Sequence, residues 1–150
     1  MAATARNRLS RFGVMIFTAM LSATVFARSA ADASTSARQQ VAAVAQALTD
    51  GDAAEAMTHF AKTYRDYDKL RRYFDGLAAF QIENQVDFSD EEDSDTAVVF
   101  TANWNLTITD VASDRTRNRS GQIHVKVVPV ESKWRIVEFA PLDIFDPQLH

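Results

Sequence analysis

The spacing of apolar residues changes near residue 78 of this 150-residue chain, and this change constrains the fold more than any other feature. Before residue 78, three stretches place apolar residues three or four positions apart, which predicts three amphipathic helices. After it, four runs alternate apolar and polar residues, which predicts an antiparallel meander with one buried face. Helices that precede strands in this way indicate an α+β domain, with three N-terminal helices packed on one face of a four-stranded sheet.

The residues between these segments support the same division. Gly51 and Asp52 lie between the first two helical stretches, as a helix stop and an N-cap. The apolar positions of the three predicted helices are Val41, Val44, Ala45 and Leu48, then Met57, Phe60, Ala61 and Tyr64, and then Leu70, Tyr73, Phe74 and Leu77. The four predicted strands span residues 80–88, 98–109, 122–127 and 134–137.

This order of elements resembles the nuclear-transport-factor-2-like, or cone, superfamily. The opening VAAVAQALTDGDAAEAMTHF (41–60) is similar to the first two helices of many members, and KWRIVEFAPLDIF (133–145) is similar to their closing strand. The resemblance covers residues 36–146 and implies a conical pocket between the helices and a curved sheet. The family includes isomerases, dehydratases and polyketide cyclases beside non-catalytic binding and assembly modules, so the resemblance does not select a function.

The first 27 residues carry the features of a secretory signal peptide. Arg6, Arg8 and Arg11 precede an apolar run of 16 residues, 12–27, and no acid occurs in this segment. Small residues then offer cleavage after Ala27, Ala31 or Ala33.

We therefore predict a signal peptide at 1–27, a linker at 28–36 and the folded domain at 37–150. The expected location is the periplasm or the outside of the cell. A membrane anchor normally needs about 20 apolar residues. If residues 12–27 were retained, the protein would instead be a membrane-anchored assembly component, and membrane contact is expected only in that case.

Composition excludes several classes of site. Removal of residues 1–27 would leave 13 of the 16 basic residues and all 20 acidic residues, a net charge of −7, which argues against nucleic acid as a partner. The chain has no cysteine, and its three histidines are far apart in sequence. We therefore predict no metal site and no cofactor.

The turns allow the register of the sheet to be predicted. The turns at 111–114 and 130–133 place Trp104 opposite Gly121 and put Glu138 among small neighbours on the inner face. The predicted inward rows are Val98–Val127–Trp134, Phe100–Val125–Ile136, Ala102–Ile123–Glu138 and Trp104–Gly121–Ala140.

A small-molecule pocket is predicted where polar side chains meet the apolar inner face. Glu138, Asn84 and Trp104 are its expected ligand-binding residues, with Tyr64 or Tyr67 arriving from the helices. Burial would raise the pKa of Glu138 and suit it to act as a general base, which makes it the best catalytic candidate. The alternatives are that Glu138 lies in water at the open end of the cone or pairs with an arginine.

The absence of a dense group of acid, base and nucleophile favours a non-catalytic protein. We expect a module that binds a small apolar or amphipathic ligand or scaffolds an envelope partner. The alternative is an isomerase- or dehydratase-type enzyme, in which Glu138 is the base and a tyrosine polarises the substrate. The predicted outer row Asn103–Gln122–Phe139 places an aromatic ring among polar groups, which favours a homodimer through the outer face of the sheet.

Overall fold

The computed structural model describes residues 22–94 and 96–149, with side chains from residue 31 onward. Its three helices pack against one four-stranded antiparallel sheet in the order β1-β2-β3-β4, so the predicted α+β cone architecture is confirmed. The elements are α1 (Ser22–Thr49), α2 (Ala53–Thr58), α3 (Tyr67–Leu77), β1 (Gln81–Asp93), β2 (Val98–Asp110), β3 (Arg115–Val130), β4 (Lys133–Ala140) and a 3₁₀ helix (Asp143–Phe145).

The core lies between the helices and the inner face of the sheet. Every second residue of β2 from Val98 to Ile108 is buried, as the alternation of apolar residues predicts. The largest fully buried side chains include those of Trp104, Phe74, Phe100, Phe139 and Phe145. Aromatic residues therefore fill much of the space beneath the helices.

The predicted linker at 28–36 is wrong, because these residues belong to α1. The segment contains neither glycine nor proline and is rich in alanine, the residue with the highest helix propensity. Ala33 and Ala37 are both buried, and they extend the apolar stripe of α1 toward its N-terminus. Ser34 and Arg38 also contact Glu91 of β1, so the packed domain begins before residue 37.

The second helix is shorter than its apolar stripe predicts. α2 ends at Thr58, although Phe60, Ala61 and Tyr64 are buried. The backbone here pairs with β4: the Ala61 amide donates to the Ile136 carbonyl, and the Ile136 amide donates to the His59 carbonyl, each at 2.9 Å. These bonds replace the helical ones, and the apolar side chains reach the core from a series of turns.

The predicted register is confirmed between β2 and β3 and is wrong between β3 and β4. Trp104 does pair with Gly121. Val127, however, pairs with Ile136 of β4 rather than with Trp134. A β-bulge follows at Val137, because the next residue of β3, Lys126, pairs with Glu138. One extra residue in a strand exchanges the faces of the residues beyond it.

Candidate functional site

Glu138 lies on the outer face of the sheet, so its predicted place in the pocket is wrong. The bulge turns Phe139 inward, where it is fully buried, and Glu138 outward. The Glu138 carboxylate lies 3.4 Å from His124 Nε2 and 3.9 Å from Lys126 Nζ, and 52% of its side chain is exposed. It therefore lacks the dry surroundings that the general-base hypothesis required. The inward position of Phe139 also removes the aromatic residue that favoured an outer-face dimer.

Trp104 and Asn84, which were predicted to bind a ligand, meet beneath α1, and their polar atoms bind each other and the protein. Trp104 Nε1 donates to Asn84 Oδ1 at 2.8 Å. Asn84 Nδ2 donates to the Ala45 carbonyl at 2.9 Å and to Thr49 Oγ1 at 3.1 Å. Asn84 thus links β1, β2 and α1, and this arrangement supports a structural role for the pair.

Tyr64 is held in the same internal way. Its hydroxyl donates to the Phe139 carbonyl at 2.6 Å. Burial, with the nearby Asp66 carboxylate as a second cause, raises the pKa of Tyr64 well above its ordinary value. A neutral hydroxyl committed to a backbone carbonyl is poorly placed to polarise a substrate.

Aromatic rings occupy the interior of the cone. The Trp104 ring contacts Phe145 and Phe139 edge-on, with centroid distances of 5.1 Å and 5.9 Å. Phe145 also packs 5.6 Å from Phe74. Such edge-to-face pairs are the favoured geometry of buried aromatic rings. Among the described residues, no buried side-chain nitrogen or oxygen lacks a hydrogen-bond partner, so this interior presents no free polar group to a ligand.

The C-terminal segment, residues 141–149, closes the cone at one end. Ile144 lies over Gly121, where an added Cβ would come within 3.0 Å of Ile144 Cγ2. Ile144 therefore fills the space above Gly121 that the missing side chain would leave beside Trp104. At Gly76, an added Cβ would lie only 2.6 Å from Pro147 Cγ, so the segment also packs tightly on α3.

Arg119 holds this segment in place. Its guanidinium donates to the carbonyl oxygens of Ile144, Asp146 and Leu149. Burial, with the charge of Arg117 as a second cause, lowers the pKa of Arg119. Arg119, near the start of β3, is thus committed to the protein's own backbone.

A groove of about 580 Å³ opens between the β3–β4 hairpin on one side and α2 with the turns that follow it on the other. We call it the hairpin groove. Its size lies within the range of small-molecule sites. Its lining residues are Ala54, Met57, Thr58, Phe60, Ala61, Lys62, Thr63, Tyr67, Val130, Glu131, Lys133 and Arg135.

The hairpin groove has an apolar floor and a charged rim. Met57, Phe60 and Ala61 are buried in the floor, whereas Lys62 and Lys133 are exposed. Among the predicted ligand-binding residues, Tyr67 lines this groove; Glu138, Trp104, Asn84 and Tyr64 do not. The structure therefore divides the predicted site between the filled interior, the outer face of the sheet and this groove.

Residues 22–94 and 96–149 contain neither a group of metal-ligating side chains nor a helix suited to span a membrane. In these ranges, no three His, Asp or Glu side chains are grouped as metal ligands. No helix in them is both long and apolar enough to span a membrane. Residues 1–21, most of the predicted signal peptide, lie outside the described residues.

Sequence comparison gives no match to a family model or to a curated protein. Solved structures do match over about three quarters of the chain. The chain has the nuclear-transport-factor-2-like fold. A candidate aromatic ring hydroxylase from Novosphingobium aromaticivorans is 13% identical with a TM-score of 0.63, covering 77% of this chain and 98% of that one.

Two further matches have the same fold. A candidate scytalone dehydratase from N. aromaticivorans is 11% identical with a TM-score of 0.63, covering 75% of this chain and 85% of that one. A nuclear-transport-factor-2-like protein of unknown function from Shewanella oneidensis is 12% identical with a TM-score of 0.58, covering 71% and 95%. At these identities, similarity establishes the nuclear-transport-factor-2-like fold and transfers no activity.

Sequence patterns did not indicate the rim of the hairpin groove. Lys62 follows the early end of α2, and Lys133 and Arg135 lie at the start of β4, beside the turn that joins it to β3. Helical and strand periodicity predicts neither feature. The closing LDIF did carry a sequence signal for the filled interior of the cone. Leu142, Ile144 and Phe145 are apolar residues beyond the last predicted strand, and all three are buried.

Proposed function

We propose that this protein is a non-catalytic module that binds a small apolar or amphipathic ligand, and that its binding site is the hairpin groove. The observation that carries the proposal is the contrast between a filled cone interior and an open groove with an apolar floor. Apolar walls with a few polar groups are typical of small-molecule sites. Tyr67, which lines the groove, is one of the proposed ligand-binding residues.

The alternative of an isomerase- or dehydratase-type enzyme has less support. Glu138 is exposed on the outer face, and the Tyr64 hydroxyl is bound to a backbone carbonyl. The hairpin groove holds one carboxylate, that of Glu131, at an exposed turn. Acid–base catalysis needs a proton donor or acceptor positioned against the substrate, and this set offers no opposed pair.

We also propose that the protein is exported to the periplasm or out of the cell. The arginines and apolar run of residues 1–27 support this location. An intact-mass measurement of the protein from its native host tests it. We expect a mass that lacks residues 1–27, or up to six residues more, according to which of the three predicted cleavage sites is used. A full-length mass would favour the membrane-anchored alternative.

The binding proposal is tested by extracting the purified protein with organic solvent and identifying the released molecules by mass spectrometry. We expect the wild-type protein and the variant Ala112→Trp, altered in an exposed turn far from the groove, to release the same small molecule. The variant Ala54→Trp places a large ring in the groove and should release little of it. Equal release from all three proteins, or release of nothing by any of them, would count against ligand binding in the groove.

A further inference from the structure

We infer that the hairpin groove binds an amphipathic anion, a molecule with one carboxylate or similar acidic group and an apolar body. This inference rests on the proposed function, because it names the class of ligand for the same groove. It follows from the sign of the charge on the rim, from the position of Arg135 and from the apolar floor.

The rim of the hairpin groove is basic although the chain is acidic. Lys62, Lys133 and Arg135 line the groove with one acid, Glu131, whereas the whole sequence has a formal net charge of −4. In the part of the chain that the structure describes, no carboxylate lies within 4.0 Å of these three cations. An acidic molecule would supply the missing negative charge.

Only some basic side chains of the domain have a carboxylate partner. Arg38 lies 2.5 Å from Glu91 and Lys126 lies 3.9 Å from Glu138, whereas Arg71 and Arg72, for example, have no carboxylate of the described chain within 4.0 Å. The rim of the groove is therefore distinguished by the convergence of three cations on one apolar floor, and not by the lack of a carboxylate partner alone.

Arg135 is the most enclosed of the three rim cations, because it is half-buried while the two lysines are exposed. Its Nη1 donates to the Trp134 carbonyl at 3.0 Å. A guanidinium has five N–H donors, so donors remain for a carboxylate, which it can bind through two parallel hydrogen bonds. Because Arg135 is more enclosed than the two lysines, a carboxylate bound to it would be held beside the apolar floor of the groove.

The floor of the groove accounts for the apolar part of the ligand. Met57, Phe60 and Ala61 are buried there, and Val130 at the edge is 38% exposed, which is unusual for an apolar residue of this domain. An aliphatic chain or ring lying on this floor would cover Val130 and remove apolar surface from water. A wholly polar anion, such as inorganic phosphate, would leave that surface uncovered.

The test compares octanoate with octanol, which share an eight-carbon chain and differ in the acidic group. Each is titrated into the ¹⁵N-labelled protein and followed by NMR. We expect octanoate to bind about tenfold more tightly than octanol. Its chemical-shift changes should cluster at residues 57–63 and 130–135.

Variants distinguish binding of the anion to the rim of the groove from its attraction to positive charge elsewhere on the protein. The double variant Lys133→Gln with Arg135→Gln should lose the preference for octanoate and keep the affinity for octanol. Lys126→Gln is the matched control, because it removes a positive charge from the outer face of the sheet, and it should keep the preference. If the double variant does not fold, Lys62→Gln on the exposed segment should reduce octanoate affinity by about twofold to threefold.

The outcomes distinguish this inference from the proposed function. If octanol binds in the groove as tightly as octanoate, the acidic ligand is wrong and the binding module stands. If neither compound shifts the groove residues, both proposals fail for this class of molecule. Octanoate binding at Arg117 and Arg119 instead would overturn the assignment of the rim.

Discussion

The interior of the cone and the hairpin groove are both lined by apolar and aromatic residues, but they differ in how their polar groups are satisfied. Inside the cone, the Trp104 indole, the Asn84 amide and the Tyr64 hydroxyl all bind partners within the protein. At the groove, Lys133 and Arg135 have no carboxylate of the described chain within 4.0 Å. A concave fold thus does not by itself create a binding site, and the cations that we propose for ligand binding lie outside the cone.

The largest expected effect comes from emptying the interior. Phe145→Ala removes a fully buried ring that contacts Trp104, Phe139 and Phe74, and such truncations cost about 3–5 kcal/mol. Urea unfolding measures the loss. Leu149→Ala, at a residue of the same segment that is 48% exposed, should change the stability by less than about 0.5 kcal/mol. Equal losses in the two variants would mean that Phe145 does not fill the cone.

A smaller effect is expected where the interior satisfies its own polar groups. Asn84→Ala leaves the buried Trp104 N–H without its acceptor, which should cost about 1–3 kcal/mol. The neighbouring Gln85→Ala, at an exposed outward position, is the control and should be close to neutral. If both variants unfolded at the same urea concentration, the hydrogen bond between Trp104 and Asn84 would not stabilise the interior of the cone.

A pH-dependent effect is expected beside the groove. Burial is the main cause that lowers the pKa of His59 in the folded state below its ordinary value of 6.5. The unfolded chain therefore takes up this proton at a higher pH than the folded protein does. The contribution of His59 to stability is complete above about pH 6.5 and falls as the pH decreases below that value.

The variant His59→Gln isolates this contribution. Urea unfolding between pH 7.5 and 5.5 should show a steeper loss of stability for the wild-type protein than for the variant, because other titrating groups are common to both. Parallel curves would show that His59 has the same proton affinity in the folded and unfolded chains.

The smallest effect is expected at Glu138. Its partners His124 and Lys126 are exposed with it, and such pairs contribute little, so Glu138→Gln should change stability by less than about 0.5 kcal/mol. Glu91→Gln is the informative contrast, because that carboxylate is mostly buried against Ser34 and Arg38 and should matter more. A large loss of stability in Glu138→Gln would contradict the exposed, weakly interacting position of this carboxylate.

Much of the architecture is predictable because apolar spacing differs between helices and strands. The register of β2 and β3 was also predictable, since the turn between them leaves a single pairing that keeps both apolar faces together. The start of α1 was missed because Ala33 and Ser34 resemble linker residues, although Ala33 continues the buried stripe. The early end of α2 depends on hydrogen bonds to Ile136, which is far away in sequence.

The candidate site was less predictable than the fold. Its prediction depended on strict alternation through β4, and the bulge beside Ile136 breaks that alternation. The interior of the cone is filled because Phe145 packs there. Phe145 lies outside every periodic run, so the residues next to it in sequence do not indicate which side chains it contacts. The groove is formed by α2, the segment after it and the distant hairpin, which only the folded chain brings together.

The bulge in β4 lets Ile136 and Phe139, which are three positions apart, share the inner face of the sheet. Val137 is the extra residue, because Ile136 and Glu138 pair with the consecutive residues Val127 and Lys126 of β3. Deleting Val137 would remove the bulge and restore plain alternation, so that Ile136 and Phe139 stay inside and Glu138 stays outside. We therefore expect homologous chains to tolerate the loss of one residue at this position, provided that the residues on both sides of the bulge keep their apolar character.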